Sequence, residues 1–388
     1  MLNILFVLYH DFTSNSAVHV FHWANELSLL GAACIVAVPD NPETLSALGE
    51  ARFGAGSFSG LRRSLIFPDG RGPDVVHAWT PRENVREFCQ WLRGRYTFRL
   101  FVHLEDNERH LLASALGQPW KAIARLPAAE LDGLVPAHLS HPLRSEEFLN
   151  SADGATVIID SLREFVPEHV PSMEIWPAAD GAAFTAKPLN QWMRSKLGIP
   201  RGHVVFTYTG NVHFANAREV RSLYLAVAIL NREGHRAVLI RTGRDFCPFL
   251  GPDDAWGRAH SIELGFVPRP ELPDLLSAAD ILVQPGRPGP FNDYRFPSKL
   301  PEYLAAGRPV VLPKCNIGCC MEHGRDAWVM PKVDALDIVD AVPTIIKDRD
   351  LYQKLASGAR EFFERRLSWT KGAESLLRFY QQPGTSAS

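Results

Sequence analysis

Arg295-Phe296-Pro297-Ser298-Lys299-Leu300-Pro301-Glu302-Tyr303-Leu304-Ala305-Ala306-Gly307-Arg308-Pro309-Val310-Val311 reads as a short helix with chemistry at one end, followed by a buried strand. Ser298 or Leu300 can start the helix, because Pro301 is tolerated only in the first turn, where no backbone N–H is needed. Gly307 suits the stop, Pro309 prevents continuation, and Val310-Val311-Leu312 begins the strand. A loop feeding a helix N-terminus offers free N–H groups and the positive end of the helix dipole, a setting for phosphate. Arg295 and Lys299 add cationic donors, and Ser298 can cap the helix or donate to phosphate. Glu302, one turn in, can accept hydrogen bonds from a sugar diol. Phosphate donors beside a diol acceptor suggest a nucleotide-sugar site. Taken locally, an ordinary strand–loop–helix–strand unit with solvated charges fits as well.

Outward from this stretch, strand and helix alternate along the chain. In the first half, strands are expected at 3–8, 33–38, 74–79, 98–103 and 156–159, the last of that half. Helices are expected at 17–30 and 82–93, with an irregular helical region over 108–150. Residues 176–200, with Pro177, Gly181, Pro188 and Pro200, read as a linker. The second half repeats the alternation, with strands at 203–209, 237–241, 262–264, 280–284 and 309–312. Its helices fall at 217–233, 270–278, 299–306 and 334–346, and 349–380 is helical with a break at Leu367-Ser368-Trp369. Such alternation implies an α/β fold with parallel sheets covered on both faces. In sheets of this kind ligands bind outside the carboxyl ends of the strands.

Composition bounds the partners. The 388 residues suffice for two domains, and 46% hydrophobic content supports real cores. A net charge of −2 gives no global drive toward nucleic acid. No apolar run approaches the roughly 20 residues that span a bilayer, and the start, Leu2 to Leu8, reads as a strand rather than a signal peptide. A cytoplasmic protein is expected. Six cysteines do not form a disulfide framework in a chain of this size, and Cys315, Cys319 and Cys320 lack a matching ligand set for zinc. Arg62, Arg63, Arg93, Arg95 and Arg99 stand among Leu, Trp, Tyr and Phe, which suits a solvated face or peripheral docking on anionic lipid headgroups at the inner membrane surface.

With these pieces in order, the chain resembles glycosyltransferases of the GT-B fold, specifically the retaining, family-4-like group (glycosyl transferases group 1). Pro177-Ala178-Ala179-Asp180 with Phe184 resembles the linker signature. Leu264-Gly265-Phe266-Val267, Ala279-Asp280 and Val283-Gln284-Pro285 resemble the base-binding loop and following strand. Lys299 to Val311 resembles the donor-site helix, and Ser368-Trp369 with Phe379-Tyr380 the terminal helix. The resemblance implies two Rossmann-like domains facing a central cleft: 1–175 on the acceptor side, 176–365 on the donor side, and 366–388 returning to the first domain.

The resemblance also implies site residues. Glu302 binds donor ribose hydroxyls; Lys299 and Arg295 contact the phosphates, with Arg241 or Arg218 as further cations. His103 reaches the donor sugar. Gly210, Asn211, Gly243, Phe266, Val267 and Leu300 line the donor site. His10, Asn15, Ser16, His19, Glu105 and Asp106 lie on the acceptor side. Two departures stand out. The usual first glutamate, eight positions before Glu302, is Tyr294, with Asp293 beside it as a substitute, and Asn211 stands where an arginine is usual. His19 and His22, one turn apart, have no third ligand, and Asp253-Asp254 reads as a turn, so no metal and no cofactor are expected. The implied activity moves a hexose or N-acetylhexosamine with retention from a nucleoside diphosphate sugar, UDP favoured and GDP possible. The acceptor is a saccharide, a lipid-linked glycan or a small molecule. The alternatives are a nucleotide-sugar 2-epimerase-like GT-B enzyme and a non-catalytic nucleotide-sugar-binding protein.

Overall fold

The structure is a computed structural model and describes residues 1–382. The chain opens with β1 (Asn3–Val7), α1 (Asn15–Leu29), β2 (Ala33–Val38), β3 (Gly54–Ser57), α2 (Phe58–Arg63), β4 (Val75–Trp79), α3 (Glu83–Arg93) and β5 (Arg99–Leu104). Next come α4 (Glu108–Leu116), α5 (Trp120–Ile123), α6 (Ala128–Leu134), α7 (Pro142–Asn150), β6 (Gly154–Val157) and β7 (Ser172–Glu174). The second half runs α8 (Gln191–Lys196), β8 (Val204–Thr209), α9 (Ala217–Arg232), β9 (Ala237–Thr242), α10 (Ala255–Arg258), β10 (Ser261–Glu263), α11 (Leu272–Leu276) and β11 (Ile281–Val283). It ends with α12 (Leu300–Ala305), β12 (Val310–Pro313), β13 (Trp328–Met330), α13 (Ala335–Lys347), α14 (Arg349–Arg366) and α15 (Trp369–Gln381).

Two compact units result. The first is Met1–Pro177 with Tyr294–Phe296 and the terminal segment from Trp369; the second is Ala178–Asp293 with Pro297–Ser368. Each holds one sheet, ordered β3-β2-β1-β4-β5-β6-β7 in the first unit and β10-β9-β8-β11-β12-β13 in the second. All pairings are parallel. The central strands are covered on both faces, which explains unbroken apolar runs such as Ile4 to Leu8. In both sheets the order reverses at the first strand, so the crevice opens at the carboxyl ends of β1 and β4, and of β8 and β11.

The first unit is closed by the end of the chain. Trp369 of α15 stacks on His22 (4.6 Å) and meets Trp23 edge-on (4.8 Å). A Cβ on Gly372 would lie 2.4 Å from Trp23, so only glycine lets α15 approach α1 this closely. Tyr380 packs on Phe101, and its hydroxyl lies 2.6 Å from His77 Nδ1. Residues 383–388 of the expected terminal segment 366–388 lie outside the described residues.

Several expectations need correction. β6 starts two residues earlier than expected and is not the last strand of its half, because β7 follows. β3, β7 and β13 were not anticipated. They are short strands at or beside sheet edges, and Gly54-Ala55-Gly56-Ser57 carries almost no apolar signal. The proposed linker at 176–200 contains α8, capped by Asn190. α12 starts at Leu300, with Lys299 at the cap position and no side-chain cap, so Ser298 does not cap it. No helix among the described residues is long and apolar enough to cross a membrane.

Candidate active site

At the carboxyl edge of the second unit's sheet, three loops interlock through glycine. Gly210 follows β8, Gly243 follows β9 and Gly265 follows β10, with φ of +149°, +102° and +63°. These conformations are open mainly to glycine. A Cβ on Gly243 would sit 2.2 Å from the Gly210 carbonyl oxygen and 2.7 Å from the Asn211 nitrogen. The Gly243 N–H donates to the Gly265 carbonyl at 2.6 Å. Asn211 Oδ1 accepts the Arg244 N–H at 2.8 Å, and Asn216 Nδ2 donates to the Asn211 carbonyl at 2.9 Å. Asn211 therefore braces the loops rather than supplying an arginine-like contact.

Lys299 lies against this nest. A Cβ on Gly210 would be 2.9 Å from Lys299 Cε, and Lys299 Nζ stands 4.7 Å from the centre of the Tyr208 ring. One turn on, Tyr303 ties α12 to β8, its hydroxyl accepting the Thr209 N–H at 2.7 Å. Glu302, between them, is 7% exposed. Its Oε1 lies 3.0 Å from Arg269 Nη2. Burial pushes the Glu302 carboxyl up, while Arg269 and Lys299 pull it down. Glu302 is thus neither an exposed first-turn glutamate nor a lone acceptor. Arg269, which sequence reading missed, is its cation. The Arg269-Pro270-Glu271 turn carries no residue pattern that would mark it as facing Glu302.

Other donor-side expectations fall out differently. Phe266 is 65% exposed, and the Arg244 guanidinium lies 5.3 Å from its ring centre, so the ring is not core packing. Val267 beside it is half-buried. Leu300 is fully packed inside the second unit, and Ser298 is exposed. Arg241 is buried on the α9 side, where Nε donates to the Tyr224 hydroxyl at 2.8 Å and Nη1 pairs with Asp245 at 2.8 Å. It is committed to that pair. Asp293 closes its own loop, with Oδ2 accepting the Gly289 N–H at 2.8 Å. Tyr294, Arg295 and Phe296 belong to the first unit, where Tyr294 packs 5.4 Å from Phe165. Arg295 acts there on Asp106, lowering the proton affinity of that carboxyl.

The first unit holds a second polar cluster, at the switch point of its own sheet. Glu105 follows β5 and is buried; Trp79 Nε1 donates to it at 2.9 Å, and the Ser16 hydroxyl donates to its other oxygen. Tyr9 Oη is 3.3 Å from Ser16 Oγ. Arg82 lies over the Tyr9 ring at 3.8 Å and pairs with Glu108 at 3.1 Å and Asp106 at 3.8 Å. Burial raises the carboxyls of Glu105 and Asp106, Glu108 repels both, and Glu105 adds its own repulsion on Asp106. The fold brings Glu105, Asp106 and Ser16 together; sequence reading did not single out Tyr9, Trp79, Arg82 and Glu108, since only the fold brings loops 9–16, 80–82 and 105–108 to one edge. Thr80, between Trp79 and Arg82, has φ +81°, rare for a β-branched residue.

His103 stands one residue before the end of β5. It is interior to β5 and 0% exposed, stacked on Trp79 at 3.9 Å with Nδ1 2.8 Å from Thr156 Oγ1. Burial holds its ring well below the usual histidine range. His19 is buried beside Trp369, while His10 and Asn15 are exposed and His10 pairs with Asp11 at 2.9 Å. Asp254 is buried against Arg221 at 3.0 Å. No group of three or more His, Cys, Asp or Glu among the described residues is placed to hold a metal ion.

This double-sheet architecture is that of the GT-B glycosyltransferases. Residues 203–348, which carry the glycine nest and α12, match the family of glycosyl transferases group 1. The whole chain is similar in fold to HepE from Anabaena, solved with UDP and glucose, with a TM-score of 0.71 at 13% identity over 99% of this chain and 100% of that one. It is similar to sucrose-phosphate synthase from Thermosynechococcus elongatus, with a TM-score of 0.69 at 15% identity over 98% and 99% of the two chains. It is also similar to WaaG, a glycosyltransferase involved in lipopolysaccharide biosynthesis, with a TM-score of 0.65 at 13% identity over 98% and 100%. No curated protein sequence matches the chain.

Proposed function

We propose that this protein is a retaining, metal-independent glycosyltransferase. It takes a hexose or N-acetylhexosamine from a nucleoside diphosphate sugar, UDP in preference to GDP, and places it on an acceptor hydroxyl. The observation that carries the reading is the glycine nest of Gly210, Gly243 and Gly265 with the Lys299 side chain laid against it and the Glu302–Arg269 pair one turn away. Close backbone approach suits a diphosphate. The Lys299 ammonium faces charge that grows on the leaving diphosphate as the glycosidic bond breaks, which lowers the barrier. Glu302 accepts from the ribose hydroxyls while Arg269 keeps it ionised. Phe266, exposed beside the nest, offers a face for the base. The similar structures of HepE hold UDP, UDP-glucose, or UDP and glucose, which favours a uridine donor here. In the first unit, the Glu105–Asp106 cluster receives the acceptor, a saccharide, a lipid-linked glycan or a small molecule.

A thermal-shift panel of nucleotide sugars tests the reading. A UDP-sugar should raise the melting temperature of the wild type and leave Lys299→Ala unmoved; absence of a shift with every donor refutes it. Release of UDP only when acceptor is present separates transfer from epimerisation, which needs donor alone. A purely binding role is favoured by Asn211 and Asp293 being spent on loop bonds, and predicts donor stabilisation without UDP release under any condition.

A further inference from the structure

The first unit carries arginines that serve neither its polar cluster nor its core. Residues 58–68 and 88–99 contain no acidic side chain but contain Arg62, Arg63, Arg93, Arg95 and Arg99. Arg99 and Arg93 are spent on backbone carbonyls, Arg99 donating to Tyr380 at 2.7 Å and Arg93 to Ser151 at 2.8 Å. The other three, Arg62, Arg63 and Arg95, gather where α2 meets the end of α3. Phe58 stacks on Phe88 at 4.2 Å and joins the two helices. Arg62 then lies 5.8 Å from the Trp91 ring centre, and Arg95 lies 4.4 Å from the same ring. Two guanidinium groups therefore share one indole. Elsewhere in this unit Arg71, Arg82, Arg86, Arg144 and Arg163 pair with carboxylates. Arg62, Arg63 and Arg95 form no such pair among the described residues. Tyr96 Oη donates to the Leu65 carbonyl at 3.1 Å and fixes the adjoining loop, from which Ile66 projects 64% exposed.

We propose that this face docks on an anionic lipid bilayer. Like charges held together without a counter-ion attract a surface of phosphate headgroups. The indole and the arginine stems suit the interfacial layer. The exposed Ile66 among the cations selects a bilayer over a nucleic acid, since its side chain gains from hydrocarbon and nothing from a phosphate backbone. α3 leaves the carboxyl end of β4 and runs back along the sheet, so Trp91 to Arg95 lie at the opposite edge from the Glu105 cluster. Docking leaves that edge open, and the inference does not depend on the transfer reaction.

Sedimentation with vesicles tests it. Phosphatidylcholine vesicles containing phosphatidylglycerol should bind the full chain, pure phosphatidylcholine should not, and salt should release it. Each arginine removed should weaken partitioning about fivefold, so Arg62→Gln/Arg95→Gln should lose about 25-fold. Ile66→Ser/Arg63→Gln, at exposed positions, provides a second variant if the first does not fold. Unchanged melting and an unchanged UDP-sugar shift show that a variant is intact. No vesicle binding, equal binding to both vesicle types, variants that bind like wild type, or binding to single-stranded RNA in place of vesicles overturns the proposal.

Discussion

Arg269→Ala isolates the one buried carboxylate of the second unit's site. The wild-type pair is 3.0 Å long, with Glu302 nearly enclosed and Arg269 44% exposed. At that distance the attraction is about 5 kcal/mol at an effective dielectric of 20 and about 1.4 kcal/mol in bulk water. Half-exposure of the arginine places the pair between these limits, and side-chain ordering and desolvation take a share. A loss of about 1–3 kcal/mol at neutral pH follows. The pH dependence carries the sharper test. Burial already raises the folded-state carboxyl of Glu302 above its ordinary value. A raised carboxyl destabilises the fold once ionised, so its penalty grows as pH rises from the unfolded value through the folded one. Removing Arg269 raises the folded value further and enlarges that penalty at neutral pH. On acidification Glu302 protonates, and the gap between variant and wild type should close. Urea unfolding at neutral pH and near pH 5 measures this. A gap of equal size at both pH values, or none at neutral pH, refutes the pairing as described.

Gly243→Ala should abolish the UDP-sugar thermal shift, because its methyl group must push the Gly210–Asn211 backbone aside; a retained shift in calorimetry or fluorimetry contradicts the interlocked nest. Phe266→Ala should leave stability unchanged, since the ring is largely exposed, but weaken UDP binding by about 1–2 kcal/mol if the base stacks there, as titration calorimetry would read. Tyr380→Phe should cost about 1–3 kcal/mol in urea unfolding, because it strips a hydrogen-bond partner from the buried His77 ring. Burial pushes His77 down to about 3 from an ordinary 6.5. Stability should therefore fall progressively as pH drops below about 6.5, where the unfolded histidine takes up a proton that the folded one refuses; His77→Gln should flatten that slope.

The fold was legible because parallel strands buried on both faces are written as apolar runs. Ile4 to Leu8 and Val310 to Leu312 could hardly be anything else. β3 escaped because Gly54-Ala55-Gly56-Ser57 pairs by backbone alone at a sheet edge. Glu302 and Lys299 could be singled out in the sequence through their place in and just before a helix whose start and stop are marked by Pro301 and Gly307. Arg269, Arg82 and Tyr9 could not be, because each meets its partner through loops distant in sequence, which only the topology brings together. At His103, β5 runs one residue further than its apolar pattern suggests, so the ring is packed on Trp79 instead of standing free at the strand end. Asp293 was read as a substitute for the usual first glutamate and Asn211 as standing where an arginine is usual; the structure spends their carboxylate and amide oxygens on neighbouring N–H groups.

The closure of the first unit by α15 has a consequence for synthesis. The surface of Trp23, His22, Phe101 and His77 waits for Trp369 and Tyr380, which are made only after the second unit. About 190 residues of the second unit are made in between, a delay of roughly 10–40 s at ordinary elongation rates. During that interval the second unit can finish folding while the first, although begun earlier, presents an unsealed aromatic flank to chaperones. A chain ending before Trp369 would keep that flank permanently and would be recovered in aggregates or bound to chaperones.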